Sequence, residues 1–114
     1  MLKLSWRRVL VWALAAFFLF GGFGNLFAPP AIIAEYRGWG YPAWFHFATA
    51  TLEFATALLL VLPAARLMGI ALGGTVMFAA SITVLFRGEL GHAAAPLIVL
   101  ALLALSGWAA LRFR

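Results

Sequence analysis

Residues 47–63 read FATATLEFATALLLVLP, a run greasy enough for a helix in hydrocarbon with one ionisable acid, Glu53, at its middle. The chain around it has 114 residues, room for one domain and not two, and it is 67% hydrophobic and 10% charged. A soluble domain of this size buries too small a fraction of its surface to hide that much apolar material. Its solvent is therefore a bilayer, and its fold class is all-α, because a lone helix satisfies its own backbone there.

A membrane-spanning helix needs about 20 mostly apolar residues. Four windows qualify, 9–28, 43–62, 67–86 and 94–111, which predicts a four-helix bundle forming a single membrane domain over residues 1–114. The first window resembles a secretion signal, with Lys3, Arg7 and Arg8 before an apolar core. Leu26-Phe27-Ala28 is a poor cleavage site, so the window is expected to stay as a span. Pro29-Pro30 stops the first helix, Pro42 opens the second, and Pro63 with Arg66 forces spans two and three into a hairpin. Pro96 falls in the first turns of the fourth. Six cations (Lys3, Arg7, Arg8, Arg66, Arg112, Arg114) lie on one side and two (Arg37, Arg87) on the other, so both termini are expected to be cytoplasmic.

Several chemistries are excluded or weakened by the residues present. With no cysteine there is no disulfide and no thiolate metal site. The cations flank apolar runs instead of forming a basic face with interleaved aromatics, so no nucleic-acid partner is expected. Two histidines, His46 and His92, are few for haem or a metal centre without further ligands. A self-sufficient enzyme is not the expectation.

The second span can still insert with its acid. Each Leu, Ile, Phe or Val contributes about −0.3 to −0.6 kcal/mol against about 3 kcal/mol for a central charge. Phe45, Phe47, Leu52, Phe54 and Leu58 through Leu62 together offset the cost. The acid should face the bundle interior and not lipid. His46, Thr49, Glu53 and Thr56, spaced by three, four and three, form one stripe from the helix mouth to the membrane centre. Asn25 lies at about the depth of His46. Glu53, His46, Thr49 and Asn25 are therefore the candidate ligand- or proton-binding set. The bland alternative is that the stripe hydrogen-bonds across helices and sets their register, at about 0.6 kcal/mol a bond.

Gly69-x-x-x-Gly73 permits close helix packing, within the chain or at a dimer seam, and Gly21, Gly22 and Gly24 permit contact or a bend in span one. The outer segment AEYRGWGYP, with Tyr36, Arg37 and Trp39, is expected to cap the bundle mouth or face a partner, with Glu35 and Arg37 as a local ion pair.

The order Tyr36-Arg37-Gly38-Trp39-Gly40-Tyr41-Pro42-x-Trp44-Phe45, then Leu52-Glu53, Leu58 to Pro63, Arg66-x-x-Gly69, Met77-x-x-Ala80 and His92-x-x-x-Pro96 resembles the DoxX-like family from Asn25 onward. That resemblance implies a four-helix protein of the bacterial cytoplasmic membrane. Relatives serve as membrane subunits in quinone-linked sulfur oxidation or oxidative-stress oxidoreductase assemblies, and a eukaryotic branch includes a receptor chaperone. It supplies no agreed catalytic residue.

Three functions fit these residues. The leading one is a non-catalytic subunit or binder of a small hydrophobic ligand, a quinone or a lipid, serving a membrane oxidoreductase, as a homo-oligomer or beside a partner. The second is a proton-coupled exporter like the small multidrug resistance proteins, which also embed a Glu but in their first span. The third is a membrane-protein assembly factor gripping partners through the outer loop and the glycine face.

Overall fold

Ser5 opens the first helix, accepting a hydrogen bond from the Arg8 amide at 3.3 Å in the usual manner of an N-cap. The computed structural model describes residues 5–113; Lys3 and Arg114, two of the cations used for orientation, lie outside the described residues. Helix α1 runs Trp6–Phe27 and ends where Ala28 turns left-handed at φ 42°, its N–H closing on the Gly24 carbonyl. The helices that follow are α2 (Pro30–Gly38), α3 (Phe45–Val61), α4 (Arg66–Phe86) and α5 (Leu90–Arg112), with a 3₁₀ turn at Pro63–Ala65 between α3 and α4.

The structure adds one helix to the expected four. Pro29-Pro30 does stop α1, but Pro30 also occupies the first position of α2, where a missing N–H costs nothing. The segment from Pro30 to Trp44 is thus a short helix and a turn. Helix α3 is shorter than its window. Residues 40–44 are held in turns, and Leu62 is extended because the proline after it disfavours helix. Arg66 then reaches back, its Nε donating to the Leu60 carbonyl at 2.8 Å and capping the end of α3. Pro96 lies inside α5, where it removes one rung of the backbone ladder.

The four longer helices close a ring: α1 packs on α3 and α5, α3 on α4, and α4 on α5. Phe18, Leu60 and Leu103 are fully enclosed at its centre, with Leu14, Met77 and Val99 around them. The Gly69-x-x-x-Gly73 motif is used inside the chain. A Cβ at Gly69 would come within 2.9 Å of the Leu60 amide nitrogen, and one at Gly73 within 2.8 Å of Thr56 Cγ2. That face is filled by α3 and by Phe18 of α1, so it is not available to a second copy.

Outward, the helices present apolar side chains. Phe20, Phe27 and Phe86 are 82%, 76% and 84% exposed, which in water would be a large unpartnered surface. Helices α1, α4 and α5 are each long and apolar enough to cross a membrane, and α3 is a shorter apolar helix. The chain is a multi-pass membrane protein whose outer faces are suited to lipid contact.

Candidate functional site

At the α2 end of the bundle the polar groups gather on Asn25. Its Nδ2 donates to Glu53 Oε1 at 2.6 Å and to the Gly21 carbonyl at 3.1 Å. Its Oδ1 accepts from the Tyr36 hydroxyl at 2.7 Å. The amide orientation follows from the partners, since the reverse would set its oxygen against a carboxyl and a carbonyl. The backbone of Asn25 is used as well. In a helix its carbonyl would accept from residue 29, but Pro29 has no N–H. His46 Nδ1 stands 2.8 Å from that carbonyl and, because a carbonyl only accepts, must carry the proton and donate. His46 therefore replaces the bond that the proline deleted.

Glu53 is seated by absence of bulk. It is 4% exposed, and its carboxyl rests over Gly21, where any Cβ would overlap Oε2. Beside it Gly22 gives the same room to the Phe54 ring, 2.8 Å from an added Cβ. Glycines of α1 thus let the acid-bearing turn of α3 press against the α1 backbone. The expected inward direction of Glu53 agrees with this placement.

The rest of the stripe divides. Thr49 donates to the Phe45 carbonyl at 3.3 Å and lines the large cavity. Thr56 is fully buried, gives its hydrogen to the Leu52 carbonyl, and packs on Gly73, apart from the cluster. Tyr36, expected at the mouth, belongs to the cluster itself. Burial pushes its phenol above its ordinary pKa, so it remains a protonated donor through the neutral range. Trp39 ties the segment after α2 to the turn between α4 and α5. Its Nε1 donates to Glu89 Oε2 at 3.0 Å, and Arg87 Nη2 donates to its carbonyl at 2.9 Å. Glu35 and Arg37 form no ion pair; among the described residues the one such contact is His92 Nδ1 to Glu89 Oε2, at 3.6 Å. Arg37 is exposed.

Next to the cluster lies a cavity of about 770 Å³, walled by all five helices. It falls in the usual size range of small-molecule sites, about 300–1,000 Å³. Most of its wall is apolar, from Phe17, Leu52, Met77 and Val84 among others, and Ala48 and Ala80 leave the room. Asn25, Tyr36 and Thr49 bring the cluster to its surface, while Glu53 and His46 stand behind Asn25 and hold it. Tyr41 donates to Thr83 Oγ1 at 2.6 Å, since the Thr83 hydrogen is already given to the Ala79 carbonyl.

A common property follows. The hydroxyl hydrogens of Tyr36, Tyr41, Thr49 and Thr83 are all committed within the protein. The oxygens keep lone pairs, so acceptance is what these lining residues' hydroxyls still have to offer. A guest is best matched by an apolar body with a hydrogen-donating head.

The groups missed by sequence reasoning are Gly21 as the seat of the carboxyl and Tyr41 with Thr83 as a second polar pair. A glycine four residues before Asn25 was the visible signal for the first. No curated protein and no solved structure matches the chain. The pattern that defines the DoxX-like family matches it across residues 9–106, covering most of α1, the polar cluster, the cavity and most of α5. On that match the chain belongs to the DoxX-like family.

Proposed function

We propose that this DoxX-like protein holds a small hydrophobic molecule with a hydroxyl-bearing head, of the quinol or lipid class, for a membrane oxidoreductase partner. The observation that carries this reading is the 770 Å³ apolar cavity whose polar end is acceptor-rich. The head is placed against Tyr36 and Thr49, and the body against the Leu52 and Met77 walls. Glu53 serves as a positioning residue, fixing the Asn25 amide so that the Tyr36 hydrogen points away from the guest. In this arrangement the arginine-rich end is cytoplasmic, the cavity opens toward the other side, and the membrane is the bacterial cytoplasmic one.

The test is native mass spectrometry of protein extracted in mild detergent, wild type beside Asn25→Leu, with added ubiquinol and ubiquinone as probes. The expected result is an adduct on the wild type, stronger with ubiquinol than with ubiquinone, and lost in Asn25→Leu. A wild type that carries no apolar molecule and takes up neither probe would sink the proposal. Equal uptake of both probes by both forms would sink the role given to the polar cluster.

A further inference from the structure

Hydrogen-bond donors on the wall of the large cavity are nearly all committed, and not only the four hydroxyls. Both hydrogens of the Asn25 amide are used, on Glu53 and on the Gly21 carbonyl, and the Trp39 indole N–H goes to Glu89. Among the described residues His92, whose Nδ1 lies 3.6 Å from Glu89 Oε2, is the one lining side-chain donor outside this set. An anion would find little there to receive it.

Fixed charge points the same way. Among the described residues no lysine or arginine lines this cavity, and Glu35 is its one formally charged side chain. Arg87 is drawn to the Trp39 carbonyl, and Arg37 is exposed. Glu35 is close to the polar cluster by a second, independent measure. The Tyr36 phenol is raised first by burial, and negative charge on Glu53 and on Glu35 raises it further. Helix dipoles do not reverse this sign, because α1 and α4 finish at this end of the bundle while α3 and α5 start there. Around Tyr36 gather the rings of Trp39, Tyr41 and Phe45, with centroids 5.5, 6.2 and 5.9 Å away, and aromatic rings attract organic cations.

We propose that, beyond a hydroxyl-bearing guest, the cavity takes a second class of molecule and holds it more tightly: an amphiphile whose head is a primary ammonium on an apolar chain. An ammonium has three N–H groups and no acceptor, which complements a wall rich in acceptors and nearly without free donors. Tyr36 and Thr49 supply neutral oxygens, and Glu35 supplies the counter-charge. The chain lies against the Leu52 and Met77 walls, where the body of the first guest is placed. This second class rests on the same reading of the cavity as a guest site.

The test is a native mass-spectrometric titration, at neutral pH, of detergent-extracted protein with decylamine and with decanol, in wild type and Glu35→Gln. The two probes share a chain and differ in the head, ammonium against hydroxyl. Glu35 is exposed, so its replacement leaves the core untouched. Decylamine is expected to bind the wild type about tenfold more tightly than decanol, because its hydrogen bonds are charge-assisted. Glu35→Gln is expected to weaken decylamine about fivefold, the upper end of what one exposed ion pair contributes, and to leave decanol unchanged. Equal binding of the two probes by the wild type, unchanged decylamine binding in the variant, or a variant that weakens both probes alike overturns the cationic head and leaves the hydroxyl-bearing guest standing. Uptake of neither probe by a protein that does take up ubiquinol overturns the ammonium class alone. Uptake of neither probe and no quinol overturns the guest site itself.

Discussion

At the Gly69 end of the α3–α4 hairpin two backbones meet with nothing between them, while at the Asn25 end the same α3 stands away from α4 across a cavity of about 770 Å³. Both ends rely on glycine. Gly69 and Gly73 remove side chains so that helix meets helix, whereas Gly21 removes one so that a carboxyl can lie on a backbone. The first use is apolar and closes the core; the second is polar and holds open a space with a hydrogen-bonded rim. In lipid, where burying apolar surface drives no association, close contact and satisfied polar groups are what remain to hold helices together. This bundle assigns one to each end.

Four substitutions test that division. Gly69→Leu should have the largest effect, because the added atoms meet the Leu60 backbone, which cannot move aside as a side chain does. Overpacking generally costs about 1–3 kcal/mol, and a backbone clash belongs at or above the top of that range. Thermal unfolding followed by circular dichroism would show it, and a variant as stable as wild type would mean that the hairpin is looser than described. Next comes Glu53→Leu, expected to lose about 1–3 kcal/mol because it strands an Asn25 N–H in hydrocarbon. Glu53→Gln keeps an acceptor and should lose under about 1 kcal/mol. Equal losses in the two would show that charge, and not the hydrogen bond, is what the bundle needs from this position. The smallest effect is expected for Arg37→Ala, within about 0.5 kcal/mol and with unchanged ligand uptake, since Arg37 is exposed. A large effect there would place a partner on α2 and the turn after it.

The membrane class and the inward direction of Glu53 were legible because each rests on a large transfer cost that local sequence cannot escape. The partners were not. His46 and Glu53 share a stripe by periodicity, but what they bind is set by α1. The clue to His46 lay in Pro29, which orphans the Asn25 carbonyl; only the packing of α1 on α3 says which donor answers it. Thr56 had the same periodic standing and proves self-sufficient, its hydrogen given four residues back along its own helix. Helix α2 was hidden because Pro29-Pro30 reads equally as an end and as a beginning. Without α2, nothing brings Tyr36 back over Asn25, eleven residues earlier in the chain. The cavity was invisible for a different reason. It exists because Ala48 and Ala80, unremarkable singly, line the same gap between α3 and α4.

Pro96 gives the cavity an uneven wall. With no N–H at that position, the His92 carbonyl four residues earlier has no rung to lose, and both residues line the cavity. Sharp bends in helices gather at such interruptions. The first turns of α5, residues 90–95, are therefore joined to the rest of the helix by one backbone hydrogen bond fewer than an uninterrupted helix would have. The cavity thus lies between a side closed by hydrogen bonds at Asn25 and a side whose helix is interrupted at Pro96.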